Sequence, residues 1–293
     1  MISIKGIFPP LPTSFQENEE LYPEKIRENI KSLMNYDLAG IVVLGSNGEL
    51  VMLSEKERER VYGIAREAIP EGKLMIAGTG GESTRETIRL TKMAAIHGAD
   101  AALVLNPHYY QGLMTNEVLV THYKEVADSS DIPVIIYNIP ANSGIDMKAN
   151  TIISMAEHPN IIGLKDSGGN IVKMGEVIRQ TGDDFHVLAG SGGFLLPALA
   201  IGADGGILAL ANIRPEKCLE IMNTFFEGNL DEAREIQQSM IPLNTAVTKQ
   251  WGIPALKVAM EHLGYYGGPV RKPLTALEPS SKEKLIKLLE STA

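Results

Sequence analysis

The stretch "NIIGLKDSGG", residues 160–169, ends an apolar run on a lysine, Lys165. Lysine is rarely fully buried, and a side chain that snorkels to water is the ordinary explanation for a lysine at such a place. In a dry pocket, however, burial disfavours the charged form of an amine. The neutral amine can then attack a ketone and form a Schiff base, which turns the carbonyl carbon into an electron sink. Lys165 therefore raises the hypothesis of covalent amine chemistry.

Such chemistry also needs a proton carrier and donors for a substrate carboxylate. Tyr137 in "YNIPANSG" closes the preceding apolar run and could carry the proton. Ser46 and Asn47 in "GSNGE" could supply hydrogen bonds to a carboxylate. Alone, Tyr137 is more typical of a core aromatic, and "GSNGE" is typical of a turn. Their combination with Lys165 indicates a site if the fold brings them together.

The elements that would position these residues are eight short apolar runs, separated by segments of helix length. The runs are "ISIKGIF", "GIVVLG", "KLMIAG", "AALVLN", "IPVIIYN", "NIIGLK", "FHVLAG" and "GGILAL". Continuous rather than alternating hydrophobicity is typical of parallel strands that are buried on both faces. An open doubly wound sheet would show a glycine-rich turn after its first strand, whereas "PPLPTSF" follows here. The pattern predicts an α/β protein, a (β/α)8 TIM barrel.

Helix-start and helix-stop signals support this alternation. Ser54 with Glu57, and Ser83 with Glu86, have capping-box spacing. From about Asn229 the strand signals stop and the pattern is helical, with a glycine- and proline-rich loop, "YYGGPVRKPL", before the last helix. We therefore expect a catalytic barrel over residues 1–228 and a C-terminal helical extension over residues 229–293.

In such a barrel the chemistry lies at the carboxyl ends of the strands. We expect the fifth strand to end on Tyr137 and the sixth on Lys165, so that the two side chains meet at one mouth. "GSGGF" from Gly190 follows the seventh strand, where barrels often bind phosphate. A phosphorylated substrate is thus an alternative.

Composition excludes several other functions. The net charge of −9 argues against a nucleic acid or an anionic membrane as partner. Cys218 is the only cysteine, and the six histidines show no ligand spacing, so no metal site is predicted. The amino-terminal stretch has no signal-peptide core and no apolar run approaches a membrane span. The sequence predicts a soluble, cytoplasmic protein.

The motifs "GSNGE", "YNIPANSG", "GLKDSGG" and "GGILALAN" resemble those of the pyruvate-dependent class I aldolase superfamily, which includes dihydrodipicolinate synthase and N-acetylneuraminate lyase. The resemblance covers the whole chain. It implies a TIM barrel assembled as a homotetramer, no cofactor, and two small-molecule partners, pyruvate and an aldehyde.

The resemblance also implies roles for individual residues. Lys165 matches the Schiff-base lysine and Tyr137 the proton-relaying tyrosine. Ser46 takes the place of the relay hydroxyl, and Tyr109 matches a tyrosine that completes the relay from a neighbouring subunit. The implied substrate-binding positions are Asn47, Ser167, Gly190, Ile207 and Asn142.

Two departures bear on the substrate. Dihydrodipicolinate synthases generally have "TTGE" where this chain has "SNGE", and an arginine where Asn142 stands. An arginine can bind the carboxylate of an aldehyde substrate through two parallel hydrogen bonds, and an asparagine does not replace it conservatively. The chain resembles more closely the 4-hydroxy-2-oxoglutarate aldolases, which release pyruvate and glyoxylate. Dihydrodipicolinate synthesis from aspartate semialdehyde, cleavage of 2-keto-3-deoxy sugar acids, and a barrel that binds a 2-oxo acid without turnover are the alternatives.

Overall fold

The structure is a computed structural model that describes residues 2–292; Met1 and Ala293, the outer limits of the two predicted regions, lie outside the described residues. Eight short strands alternate with helices along the first three-quarters of the chain. The strands are β1 Gly6–Phe8, β2 Gly40–Val43, β3 Leu74–Gly78, β4 Ala101–Leu105, β5 Val134–Asn138, β6 Ile161–Asp166, β7 His186–Ala189 and β8 Gly205–Ile207. The helices are α1 Pro23–Leu33, α2 Glu55–Ala68, α3 Thr84–Ile96, α4 Asn116–Asp128, α5 Pro140–Ser143, α6 Ala149–Ala156, α7 Ile171–Gln180, α8 Leu195–Ala200, α9 Pro215–Phe226, α10 Leu230–Thr245, α11 Gly252–His262 and α12 Pro279–Ser291.

All strands of the sheet are parallel, in the order β1-β8-β7-β6-β5-β4-β3-β2. Hydrogen bonds between β1 and β2 close the remaining seam. The Ala39 N–H donates to the Ile7 carbonyl at 3.0 Å, and the Leu11 N–H donates to the Val42 carbonyl at 2.9 Å. The prediction of a (β/α)8 TIM barrel with C-terminal helices is confirmed.

Two apolar layers hold the barrel together. The inner layer fills its interior, and the outer layer lies between the strands and the surrounding helices. The interior side chains are Ile4, Phe8, Val42, Ile76, Ala101, Leu103, Ile135, Tyr137, Ile162, Leu188 and Ile207. Full burial of one such large aliphatic side chain stabilises a fold by about 1.5–3 kcal/mol. The barrel is therefore a packed core, and ligands can enter only at its ends.

The local signals for helix starts are present in the structure. The Ser54 N–H donates to the Glu57 carboxylate at 2.8 Å, and the Glu86 N–H donates to the Ser83 hydroxyl at 3.2 Å. Gly98 follows α3 with a φ of +79°, a left-handed conformation that favours glycine. Capping thus fixes where α2 and α3 begin, and hence the direction in which each returns to the sheet.

The two strands that carry the predicted catalytic pair run one residue further than expected. β5 ends at Asn138 rather than Tyr137, and β6 ends at Asp166 rather than Lys165, because these two end residues continue the strand pairing. The Asn138 amide donates to the Asp166 carboxylate at 2.8 Å. Because Asn138 and Asp166 hydrogen-bond to each other, these buried polar residues can extend the strands beyond the point where the apolar pattern ends.

The C-terminal helices α10, α11 and α12 pack against the barrel. A π-helical turn over Ala246–Gln250 connects α10 to α11, and a loop precedes α12. Arg214, at the start of α9, donates to the Leu289 carbonyl of α12 at 2.8 Å and so ties the last helix to the barrel. Within residues 2–292, no helix has the length and apolar character needed to span a membrane. The division at residue 228 stays a prediction.

Candidate active site

Tyr137 and Lys165 are direct neighbours across β5 and β6. Their Cα atoms are paired in the strand register. Both side chains are buried, and the Lys165 Nζ lies 4.0 Å from the centroid of the Tyr137 ring. The strands themselves therefore bring the predicted amine and the predicted proton carrier together.

A polar network behind this pair fixes the ends of both strands. The fully buried Asp166 accepts hydrogen bonds from the Asn138 amide and the Gly168 N–H, each at 2.8 Å, and its carboxylate lies 2.9 Å from the Lys173 ammonium. Lys173 also pairs with Asp146. Burial by itself would raise the pKa of Asp146, but the hydrogen bonds from Lys173 and Asn138 hold that pKa below its ordinary value. The network links the ends of β5 and β6 to Lys173 and Asp146 behind the pair.

Ser46 reaches the pair from the loop that follows β2. It begins a single 3₁₀ turn over Ser46–Gly48, and its hydroxyl lies 3.2 Å from the Tyr137 hydroxyl, within hydrogen-bond distance. Asn47 follows it in the same turn and is half-buried. The structure thus joins Lys165, Tyr137 and Ser46 in one chain of contacts.

A cavity of about 290 Å³ opens beside this chain of contacts. Ser46, Tyr137 and Asn142 are part of its wall. Lys165 is not among the wall residues, but its Nζ lies 4.0 Å from the ring centroid of the wall residue Tyr137. Apolar side chains make up most of the wall: Leu44, Leu50, Val51, Met52, Leu103, Leu105, Ile253 and Leu274. The described wall residues include no lysine or arginine. The cavity can therefore hold a small organic molecule against the tyrosine hydroxyl.

Ser167 and Gly190 lie together at the ends of β6 and β7. The Gly190 N–H donates to the Asp166 carbonyl at 2.7 Å, and the Ser167 hydroxyl lies 3.5 Å from the Gly190 carbonyl. A Cβ atom at position 190 would approach the Ser167 Oγ to 2.1 Å. Glycine is thus required there by the close approach of the two strand ends.

The remaining predicted residues occupy different surroundings. Ile207 ends β8 and is buried in the interior cluster that also contains Tyr137. Asn142 is exposed on the short helix α5 and reaches the cavity wall. Tyr109 is 77% exposed, packs edge-on against Tyr110, and has no contact with Tyr137 within the described chain. A single chain therefore leaves Tyr109 outside the site.

The "GSGGF" loop after β7 is held by helix α10. The Gln237 amide donates to the Gly192 carbonyl at 2.8 Å and accepts the Leu196 N–H at 2.9 Å. The Asn244 amide donates to the Ser191 hydroxyl at 3.0 Å, and this hydroxyl accepts the Gly193 N–H at 3.3 Å. A phosphate at this loop would need the backbone N–H groups of Gly193 and Leu196. Both groups already donate hydrogen bonds to side chains of the protein.

Sequence reasoning missed residues that hold the site loop from the C-terminal region. The buried Glu49, last residue of "GSNGE", lies 2.6 Å from the ammonium of the buried Lys257 in α11. Burial lowers the pKa of Lys257, while the Glu49 carboxylate opposes that effect. A signal was present, because Lys257 lies four residues after Ile253 and three before Met260, on the apolar face of its helix. His108, a further wall residue, had no such signal.

Comparisons with known proteins point to one family. The model of the dihydrodipicolinate synthetase family matches residues 3–292. A 4-hydroxy-tetrahydrodipicolinate synthase of Methanothrix thermoacetophila is 34% identical over 284 residues, 96% of this chain and 94% of the relative. A probable mitochondrial 4-hydroxy-2-oxoglutarate aldolase of Emericella nidulans is 38% identical over 285 residues, 96% and 91% of the two chains. The structure of YagE, a prophage protein from E. coli K12 in complex with pyruvate, superposes with a TM-score of 0.93 at 28% identity and covers 99% of this chain and 98% of that one.

The fold and these likenesses define a TIM-barrel enzyme of the class I aldolase and lyase type. The chain belongs to the dihydrodipicolinate synthetase family. Its relatives divide between synthases and an aldolase at similar identity, so family membership leaves the substrate open.

Proposed function

We propose that this enzyme is a Schiff-base aldolase that releases pyruvate from a 4-hydroxy-2-oxo acid, with 4-hydroxy-2-oxoglutarate as the first substrate to test. The observation that carries the proposal is the contact chain Lys165–Tyr137–Ser46 at the carboxyl ends of the strands. The buried amine provides the nucleophile, and the two hydroxyls provide a route for a proton. A protein that only bound a 2-oxo acid would not need this combination.

The proposed reaction begins at Lys165. Its Nζ attacks C2 of the substrate and water leaves, so that a protonated imine replaces the ketone. Tyr137 takes the proton of the C4 hydroxyl, the C3–C4 bond breaks, and its electron pair moves toward the iminium nitrogen. The aldehyde departs, C3 of the resulting enamine is protonated, and water hydrolyses the imine to free pyruvate. Ser46, 3.2 Å from the Tyr137 hydroxyl, relays this proton to and from the tyrosine.

The loop and strand ends around Lys165 supply the proposed carboxylate seat. Asn47 and the amides of its turn bind the carboxylate of the pyruvate half, as neutral donors can. Ser167 and Gly190 bound the seat on the side of β6 and β7, and Ile207 forms its apolar floor. These roles follow from the resemblance to the family and from the position of each residue at the same end of the barrel.

Asn142 is the proposed contact for the aldehyde half. It lies in the cavity wall, which includes no lysine or arginine among the described residues. The wall therefore lacks the arginine clamp that favours aspartate semialdehyde. A neutral amide can bind a carboxylate or a hydroxyl, so 2-keto-3-deoxy sugar acids remain the second class to test. The likeness to the Emericella nidulans protein supports the first class.

A substrate panel tests the proposal. The purified enzyme is given 4-hydroxy-2-oxoglutarate, a 2-keto-3-deoxy sugar acid, or pyruvate with aspartate semialdehyde, and pyruvate release or cyclised product is measured. We expect the fastest turnover on the first substrate. Brisk condensation with aspartate semialdehyde would show that the enzyme is a synthase. Asn142→Arg is the matched variant: it should favour condensation by restoring a clamp.

The assembly is part of the proposal. Tyr109, Tyr110, Leu113 and Val51 are large apolar side chains that are each at least 66% exposed. Such a patch is typical of a protein–protein interface. We propose that it packs on a second copy, that the enzyme is a homotetramer acting in the cytoplasm, and that Tyr109 completes the site of the neighbouring subunit. The mass in solution tests this, because Tyr109→Asp should then lower the mass and the activity together.

A further inference from the structure

The loop that carries Ser46 and Asn47 is held in a strained conformation at both ends. Leu44 and Glu49 flank it with φ values of +54° and +56°. Residues other than glycine seldom adopt this left-handed conformation, and it persists only where the surroundings impose it. One restraint is evident, since the buried Thr13 hydroxyl donates to the Gly48 carbonyl at 2.6 Å. The other must act on Glu49.

The Glu49 side chain is bound by two groups from the C-terminal region. One carboxylate oxygen lies 2.6 Å from the Lys257 Nζ, and the other accepts the Arg271 N–H at 2.8 Å. Both charged side chains of the ion pair are at least 99% buried. The Lys257 ammonium also donates to the Pro269 carbonyl at 2.7 Å and lies 4.6 Å from the centroid of the Phe15 ring. The pair is thus buried and held by these named partners, and Glu49 also borders the cavity.

Arg271 connects this ion pair to helix α2. Its guanidinium binds both oxygens of the Glu57 carboxylate, at 2.6 and 3.0 Å, and donates to the Met52 carbonyl at 3.1 Å. The guanidinium carbon lies 4.3 Å from the centroid of the Phe15 ring. Because Glu57 also caps the start of α2, the segment from Glu49 to Glu57 is clamped to the C-terminal region along its whole length.

We infer that the Glu49–Lys257 ion pair positions Ser46 and Asn47 for binding of the pyruvate carboxylate. Glu49 and Lys257 are positioning residues, since their charges are occupied by each other and by backbone groups. The inference rests on the proposed Schiff-base function. It also gives the C-terminal helices a part in the site, because Ile253, one turn before Lys257 in α11, lies in the cavity wall.

The choice of a charged pair supports a positioning role. A buried ion pair adds little stability over apolar side chains of the same volume, but removal of one partner leaves a buried, uncompensated charge. The pair therefore penalises every loop conformation in which the Glu49 carboxylate moves away from the Lys257 ammonium. An apolar contact is non-directional and would allow the turn to slide.

Borohydride trapping of pyruvate on the whole enzyme tests this inference. The variants are Lys257→Met and Glu49→Gln; the latter keeps the shape of the side chain and provides a second test if the former does not fold. The control is Arg214→Met, which loosens helix α12 through another buried cation without touching the loop. The readouts are the pyruvate concentration for half-maximal trapping, the trapping rate at saturation, and the thermal midpoint.

We expect both loop variants to raise the half-saturating pyruvate concentration by roughly tenfold or more, and to change the rate at saturation by less than about threefold, since carboxylate binding and not the amine is affected. Arg214→Met should lower the thermal midpoint comparably and leave half-saturation unchanged. The inference would be overturned if a folded loop variant kept the wild-type half-saturating pyruvate concentration. It would also be overturned if that concentration rose equally in Arg214→Met. Failure of the wild-type enzyme to be trapped would instead overturn the proposed function.

Discussion

The two regions that form the site are held in different ways. At the β5–β6 edge, the strand register pairs Tyr137 with Lys165, and the supporting groups Asn138 and Asp166 are their immediate neighbours in the chain. In the loop after β2, Ser46 depends on Glu49, whose partner Arg271 lies 222 positions further along the chain. The chemical pair is therefore fixed by backbone pairing, whereas the binding loop is fixed by distant side chains.

This difference separates the parts of the reaction. Backbone pairing holds the amine and the tyrosine wherever the barrel is folded, so chemistry should tolerate changes in the C-terminal region. The loop that binds the carboxylate should respond to such changes. Variants at the strand edge are thus expected to affect turnover, and variants around the loop are expected to affect pyruvate affinity.

The largest expected effect is at Lys165. Lys165→Ala should reduce pyruvate release by at least about 10⁴-fold, because the described wall of the cavity contains no lysine that could form the imine in its place. Far-ultraviolet circular dichroism and the thermal midpoint show whether the fold is intact. Lys165→Met, which keeps most of the stem, is the packing control and should be equally inactive. Residual activity within a hundredfold of wild type in either variant would contradict the assignment.

The next effect is at Tyr137, on the other half of the pair. Tyr137→Phe should lower kcat by roughly 10²–10³-fold, since proton transfer loses its carrier. The ring stays beside Lys165, so the half-saturating pyruvate concentration in trapping should change little. Steady-state kinetics and trapping on the same preparation separate the two quantities. A larger change in pyruvate affinity than in kcat would show that the Tyr137 hydroxyl contributes to substrate binding rather than to proton transfer.

A smaller effect, on stability, is expected behind the pair. Asp166→Asn removes the fully buried carboxylate beside Lys173 and leaves that ammonium with Asp146 alone. We expect a loss of about 3 kcal/mol in the free energy of unfolding, measured by denaturant titration. Lys25→Met, which removes a solvent-exposed ion pair with Glu28, is the control and should change stability far less, because solvent screens that pair. Equal effects would show that the network is not a support for the strand ends.

The smallest expected effect is on the pH dependence of the free energy of unfolding in acid. The pKa of Asp146 is lower in the folded chain than its ordinary value. Its contribution to stability is therefore complete above the unfolded-state pKa and is lost as the pH falls through the lower, folded-state pKa. Asp146→Asn should make the free energy of unfolding less dependent on pH in the acid range, below about pH 4. Thermal midpoints from pH 3 to pH 7 measure this, and parallel curves for both proteins would contradict it.

The sequence allowed the barrel and the catalytic pair to be predicted for the same physical reason. Apolar runs reveal parallel strands, and parallel strands of one barrel place their ends together, so Tyr137 and Lys165 could be brought to one mouth without coordinates. The strand ends were predicted one residue short because Asn138 and Asp166 satisfy each other only in the folded state. The predicted Tyr109 contribution is not visible in one chain, where this side chain is exposed.

The support of the loop could not be predicted. Lys257 interrupts an apolar helix face, which indicates a buried charge, but its partner is determined by how α11 packs on the barrel. The positive φ of Glu49 likewise follows from contacts with distant residues and not from its own preference. Pairing of side chains across the chain has no local pattern from which it could be read.

Reductive trapping of pyruvate tests the central claim most directly. Imine formation joins the Lys165 amine to C2 of pyruvate with loss of water, and borohydride then reduces the C=N bond to a stable amine. We predict an increase of about 72 Da on the peptide that contains Lys165, and no increase in the Lys165→Ala enzyme. An unmodified Lys165 peptide after treatment with saturating pyruvate, or the same increase on another lysine, would contradict the account.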